Sequence, residues 1–259
     1  FIQKDPNPIF LHHLDLIYIM SKAWCEAHKV TKPQSFKDKE ETFAAMNANG
    51  TGPYQLVNRQ PGIKTTYKRN PAWWGKYEGN VQEIVFNQIS NDATRLAALI
   101  SGEIDFVLDP APRDVPRLRT TAGIKVLEGM ENRIVFIGMD QARDSLLYGK
   151  SPDGKNPFKD VRVRRAMYQA IDIEAIKTKL MNGLSAPTGA LVSSPQATLG
   201  DAGLEKRLPY DLPKAKALMA EAGYADGFTA RMLSSAQYSF HQNTAIAVQS
   251  ELAKIGIKL

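Results

Sequence analysis

The residues best suited to chemistry in this chain are its four histidines and one cysteine, and their spacing gives them little to do together. A helical zinc or protease site needs two imidazoles one turn apart, as in HExxH, so that both reach one ion. His12 and His13 are adjacent and point to different faces of any regular element, while His28 and His241 stand alone. No metal site is expected. Cys25 has His28 three residues on, in what reads as one helix, but no third group to orient that base; a small buried thiol is the expected role. No GxSxG nucleophile elbow occurs. Gly50-Thr51-Gly52-Pro53 is glycine-rich, yet Pro53 removes an amide donor and the segment opens a strand rather than a helix, which is wrong for cradling phosphate.

Two further pairs invite a functional reading. Asp105 and Asp109 could share acid-base work, but each is better explained singly, as a solvent-facing carboxylate and a loop acceptor. Trp73 and Trp74 could stack on a sugar; adjacent aromatics more often split, one packing inward and one covering the surface. The formal charge of +6 is modest for 259 residues, and basic and acidic side chains are interleaved. Arg162, Arg164 and Arg165 form the densest basic run and read as a solvated helix face, so no nucleic-acid partner is expected. The chain is expected not to be an enzyme and to carry no cofactor.

The elements that must position any site read as α/β. Tyr54 to Arg59 and Ile63 to Arg69 alternate in polarity around Gln60-Pro61-Gly62, where proline presets one turn angle and glycine accepts a positive φ, which predicts a hairpin. Glu83 to Ile89 predicts a strand. Asp92 predicts a helix N-cap, with Leu96, Leu99 and Ile100 on one face and Gly102 as the stop, and Ile104 to Leu108 predicts a second strand, together a βαβ unit with a parallel sheet. Pro110, Pro112 and Pro116 then interrupt regular structure and mark the expected domain junction. Beyond it, Asp160, Asp172 and Asp211 are expected to cap three helices, and a fourth carries Ala245, Val248, Leu252 and Ile255 before Gly256. Ile134 to Met139 and Phe228 to Leu233 are expected strands. The longest apolar run, Ile9 to Met20, is broken by His12, His13 and Asp15 and falls short of the roughly 20 residues that span a bilayer, so no membrane insertion of this segment is expected. A single cysteine cannot close an internal disulfide, which leaves the compartment undecided.

Four segments carry a resemblance. Gly50-Thr51-Gly52-Pro53-Tyr54 leads through the hairpin to Lys68-Arg69-Asn70-Pro71-Ala72-Trp73-Trp74-Gly75. Ile84-Val85-Phe86 is followed by Arg95 to Ile100 and Ser101-Gly102-Glu103-Ile104-Asp105. Asn156-Pro157-Phe158-Lys159-Asp160-Val161-Arg162-Val163-Arg164-Arg165-Ala166 precedes Ala170-Ile171-Asp172. Ala215 to Tyr224 forms the last, with Ile255-Gly256-Ile257 closing. In this order and spacing, from about residue 9 to 259, they resemble the extracellular solute-binding proteins of the dipeptide and oligopeptide class, family 5, which serve ABC importers. Ala72-Trp73 departs from the acidic residue and tyrosine that the family often has there, keeping the bulk.

The resemblance implies a periplasmic-binding-protein-like two-lobed α/β fold with mixed sheets, incomplete in a fragment that lacks both ends. Residues 1–115 would be the central part of the first lobe, the hairpin plus the βαβ unit, and residues 116–259 the first half of the second. It implies capture of peptides or similar small solutes and their delivery to ABC permease subunits. The protein would work in the periplasm, or lipid-anchored on the extracellular face if the source is Gram-positive. Asp109, Asn132, Arg133 and Tyr238 would line the ligand cleft, where open α/β sheets place their ligands at strand ends. Rival readings are a binding protein for a nickel complex, an oligosaccharide or an opine, and a peptide hydrolase.

Overall fold

A computed structural model describes residues 5–15, 17–35, 37, 40–131, 133–191, 203, 205–235 and 238–259. The chain forms two compact units, Phe1–Ser90 and Asn91–Leu259. The proline-rich stretch at 110–116 lies within the second unit.

In the first unit, three short helices, α1 (Phe10–Leu14), α2 (Lys22–Ala27) and α3 (Phe43–Met46), precede strands β1 (Tyr54–Gln60), β2 (Lys64–Arg69) and β3 (Glu83–Asn87). The predicted hairpin forms: Ile63 N donates to Gln60 O at 3.0 Å, and Gly62 takes φ +75°. β1 runs antiparallel to β2 from Tyr54↔Arg69 to Gln60↔Lys64, with a bulge between Leu56 and Asn58. β3 then pairs antiparallel with β2, Lys64↔Asn87 to Lys68↔Glu83, which makes a three-stranded meander.

The βαβ expectation therefore fails. Residues 104–108 form no strand, although their sequence favours extended backbone. A strand exists only where a neighbour completes its ladder. Here the first amides after the helix are spent on its end: Glu103 N and Ile104 N both donate to Ala98 O, at 2.9 and 3.2 Å. The cap moves by one residue as well. For α4 (Asp92–Ser101), Asn91 is the N-cap and accepts from Thr94 N. Asp92 instead pairs with Arg95 at 2.7 Å. Gly102 ends the helix as expected, at φ +78°.

The second unit continues through a 3-10 turn (Pro112–Asp114), α5 (Val115–Thr120), β4 (Gly149–Lys150), a second 3-10 turn (Pro157–Lys159) and α6 (Val161–Ala170). Next come α7 (Ile173–Ala175), a π-helical turn (Ile176–Leu180), α8 (Leu212–Glu221), β5 (Phe228–Ala230), α9 (Ser239–Ala253) and β6 (Ile257–Lys258). All three predicted caps hold: Asp160, Asp172 and Asp211 accept from the backbone N–H of Arg162, Ala175 and Lys214. Val163, Ala166, Met167 and Ala170 of α6 are buried, against Ala215 and Met219 of α8, Val248 and Leu252 of α9, and Ile257 of β6. The buried Gln169 of α6 donates from its side chain to Pro209 O, and its backbone carbonyl accepts from Asp211 N.

A mixed sheet closes the unit, β4 antiparallel and β6 parallel to β5. Gly227 and Gly256 lie against each other beside the parallel pair: a Cβ on Gly227 would stand 1.9 Å from Gly256 O. Two further strand expectations contract. Ile134–Met139 runs without a ladder, and Phe228–Leu233 keeps only β5. In both, β-branched residues set the preference and the absent partner decides the outcome. Among the described residues no helix is long and apolar enough to cross a membrane.

Candidate functional site

Three of the four expected ligand-cleft residues meet, all inside the second unit. Arg133 Nη2 lies 3.3 Å from Asp109 Oδ2, its Nε lies 3.1 Å from Glu131 Oε1, and its guanidinium covers the Tyr238 ring at 4.7 Å from the centroid. Asn132 lies outside the described residues. Glu131 was not anticipated from sequence; its adjacency to Asn132 and Arg133 was the only available signal.

Each partner comes from a different stretch of chain. Asp109 sits just before Pro110 and takes φ +53°, in the left-handed region that aspartate tolerates better than most residues. Tyr238 is the N-cap position of α9, with no side-chain cap bond of its own. The segment that carries Arg133 is anchored downstream by the buried Asn156. Its Nδ2 donates to Asp140 O at 2.8 Å and Arg143 O at 3.0 Å, while its Oδ1 accepts from Phe158 N at 3.1 Å. The Asn156-Pro157-Phe158 stretch thus fixes where the extended chain after Arg133 must run.

The side chains of Arg133 and Asp109 are 34% and 33% exposed, so solvent screens their attraction to about 0–1 kcal/mol. Partial burial alone would weaken the guanidinium's hold on its proton. The hydrogen bond to Asp109 and the nearby Glu131, Tyr238 and Asp109 outweigh it and raise the pKa, so Arg133 is a permanent cation. The geometry offers a planar donor fork, a stacked aromatic ring and two carboxylates on a wettable surface. Such an arrangement can pair with ions and hydrogen-bonding groups.

A cavity of about 170 Å³ is lined by Ala111, Pro112, Arg113, Lys179, Leu180, Asn182, Phe240 and Asn243, and of these Phe240 stacks on Tyr238 at 5.4 Å. A larger one, about 460 Å³, lies along the apolar side of α4 against Arg113, Asp114 and Arg117.

The other chemical candidates resolve into structure. His28 stacks on Phe43 at 4.1 Å and tilts against Trp24 at 4.9 Å, beside but not engaged with Cys25. Trp73 packs on Tyr77 at 4.8 Å while Trp74 is exposed, which is the split expected of adjacent aromatics. Arg162 and Arg165 are exposed on α6 as predicted. Arg162 is held by Asp160 at 2.6 Å and donates to Glu221 O at 2.7 Å, and Arg164 donates to Phe158 O. Arg162 and Arg164 are thus satisfied locally. Among the described residues no group of three or more histidine, cysteine or acidic side chains could hold a metal ion.

All 259 residues match the family described as bacterial extracellular solute-binding proteins, family 5 Middle. The dipeptide-binding protein of Escherichia coli K12 is 26% identical over all of this chain and 45% of its own length. Among solved structures, the ABC transporter-associated periplasmic binding protein DppA of Helicobacter pylori, in complex with the peptide STSA, superposes with a TM-score of 0.74 at 25% identity. That match covers 98% of this chain and 46% of DppA. The periplasmic binding protein AgaA of Agrobacterium tumefaciens R10, in complex with agropinic acid, gives 0.62 at 29% identity over 92% of this chain and 44% of AgaA. The chain spans less than half the length of the relatives it matches.

Proposed function

The chain belongs to the bacterial extracellular solute-binding proteins of family 5, and from that membership we propose that it is part of the substrate-binding component of an ABC importer for peptides or similar small solutes. The protein captures its ligand in the periplasm, or at the extracellular face under a lipid anchor, and presents it to the permease. It binds and releases without chemical change. Residues 1–115 contribute to one lobe and residues 116–259 to the other, with the cleft at the crossover near Asp109.

The observation that carries this reading is the meeting of Asp109, Arg133 and Tyr238, residues distant in sequence that the family resemblance singles out. Closure over such a cluster would strip water from the ion pair and the ring, so that groups worth little when wet become strong and selective. The likeness to AgaA, which was solved in complex with agropinic acid, supports a second reading in which the solute is a non-peptide such as an opine.

Mass spectrometry of ligand carried through purification of the full-length protein, followed by calorimetry with that ligand, tests both readings. A bound peptide supports the first and an opine the second. Arg133→Ala is expected to weaken binding at least tenfold, about 1.4 kcal/mol, and Arg133→Lys to recover part of it, since lysine lacks the planar fork. Unchanged affinity in Arg133→Ala would remove this cluster from the site.

A further inference from the structure

We propose that the outward face of the β4–β5–β6 sheet docks on an anionic lipid bilayer, with Lys150, Arg231 and Lys258 as its cationic contacts. The proposal rests on the placement outside the membrane given above and adds a membrane-facing side to the second unit.

The sheet turns one face to the core and the other to solvent. Phe228 of β5 and Ile257 of β6 are register partners, and both are buried in the core with α6, α8 and α9. Side chains alternate along a strand, so the next pair, Thr229 and Lys258, points the other way, and both are exposed. Lys150 of β4 stands opposite Thr229 on its other side, where its N–H donates to Thr229 Oγ1 at 2.9 Å. Arg231, two residues past Thr229, belongs to the same face and covers the exposed Tyr148 ring at 5.3 Å from the centroid. Neighbouring strands lie about 4.8 Å apart, so Lys150, Thr229 and Lys258 form a row about 10 Å long. Arg231 and Tyr148 lie beside it.

Charge and shape decide the partner. None of the three cations has a carboxylate within ion-pair distance among the described residues. Asp153, the carboxylate nearest to Lys150 in the chain, is already engaged: it accepts from Lys155 N at 3.1 Å and from Tyr224 Oη at 3.2 Å. Arg143, Lys159 and Arg162, in the same unit, each hold an aspartate instead. Residues of the sheet face line neither of the two cavities described above, so the charge is spread over a surface rather than gathered in a pocket. A flat array of like charges matches a flat array of lipid phosphates. Each lysine or arginine brought to an anionic bilayer surface strengthens binding about fivefold. The tyrosine ring, apolar with a polar tip, suits the headgroup layer. Attraction of this kind is weak and screened by salt, and it keeps the protein near the membrane that holds its permease.

The test is co-sedimentation of the full-length protein, prepared without a lipid anchor, with vesicles at low ionic strength. Vesicles of phosphatidylglycerol mixed with phosphatidylcholine are compared with phosphatidylcholine alone. Binding is expected only with the anionic lipid, and it should fade as salt is raised. The triple variant Lys150→Gln, Arg231→Gln, Lys258→Gln should bind about a hundredfold more weakly. A second triple, Arg165→Gln, Lys214→Gln, Lys216→Gln, removes the same charge from exposed positions on α6 and α8 and should lose much less. Both variants should keep the melting temperature of the unaltered protein. Equal losses in the two triples would reduce the attraction to net charge and overturn the docking face. Absence of binding to the anionic vesicles would overturn it as well. If the sheet triple then still lowered uptake by the reconstituted importer, the face would belong to an acidic protein partner. None of these outcomes touches the solute-binding reading, whose own test is the ligand carried through purification.

Discussion

The two compact units are held together by different forces. In the second, α6, α8, α9 and β6 bury Val163, Ala166, Met219, Leu252 and Ile257 almost completely. In the first, no apolar side chain among the described residues is fully buried, and Phe86, in the middle of the β3 run, is 62% exposed. Its meander is held by backbone ladders and a polar knot. Asn70, the one buried residue there among the described residues, donates from Nδ2 to Gly52 O at 3.0 Å and accepts from Ala72 N at 3.1 Å through Oδ1. Its backbone N–H reaches Pro53 O at 2.8 Å, and Tyr77 Oη donates to its carbonyl at 2.6 Å. Neighbouring stretches of one chain thus place their sensitivity in different residue types, aliphatic in one and amide in the other.

Substitutions at the two ends of that contrast give its largest test. Leu252→Ala, at a fully buried position, is expected to cost about 2–5 kcal/mol, whereas Phe86→Ala should stay within about 0.5 kcal/mol. The three tryptophans all lie in the first unit and most helix lies in the second, so fluorescence and helical circular dichroism in urea separate the two. The contrast breaks if Phe86→Ala costs as much as Leu252→Ala.

Asn70→Ala should have the next largest effect, about 1–3 kcal/mol from the groups it leaves unpaired, and should move the fluorescence transition while sparing the helical one. A shift of both by equal amounts would mean that the units unfold as one.

Acid gives the smallest and broadest effect. Four carboxyls of the second unit are held below the ordinary aspartate value: Asp140 chiefly by Arg143, Asp144 by Lys159, Asp153 by the Lys155 amide and Asp160 by Arg162. A depressed carboxyl contributes its stabilisation above the unfolded value, about 3.9, and loses it as pH falls through the lower folded value. Helical stability should therefore hold level down to about pH 4 and decline below it. A decline beginning near pH 6 would point to groups other than these aspartates.

Features fixed by local chemistry were the ones legible in the sequence. Asp160, Asp172 and Asp211 cap their helices because a carboxylate two or three residues before a free amide needs no distant partner. The hairpin at Gln60-Pro61-Gly62 is local in the same sense. The strands expected at 104–108 and 134–139 failed because a ladder is a property of two segments, and alternation describes only one. β4, two residues long, carries no pattern to read; it is placed by the close approach of Gly149 to Thr229 O. Asn91 and Asp92 are both good caps, and Arg95 and Arg113, by engaging Asp92, leave the cap to Asn91. The candidate site was proposed through resemblance rather than periodicity. That route pointed to Asp109, Arg133 and Tyr238 but not to Glu131, whose contact with Arg133 depends on where the folded chain places it.

The contact between Gly227 and Gly256 bears on how the sequence can drift. Both have positive φ; a Cβ on Gly227 would stand 1.9 Å from Gly256 O, and one on Gly256 about 3.0 Å from the Gly227 backbone, so the contacts are with backbone and neither position can be relieved by changing its partner's side chain. Compensatory pairs, the usual way that packed positions exchange volume over generations, are closed to them. The turn glycine Gly62 has the same sign of φ with open space around it, and asparagine can stand in its place. One pair is frozen by its neighbours and the other glycine is constrained only by its own backbone, so a library randomised at all three sites should recover variety at Gly62 alone.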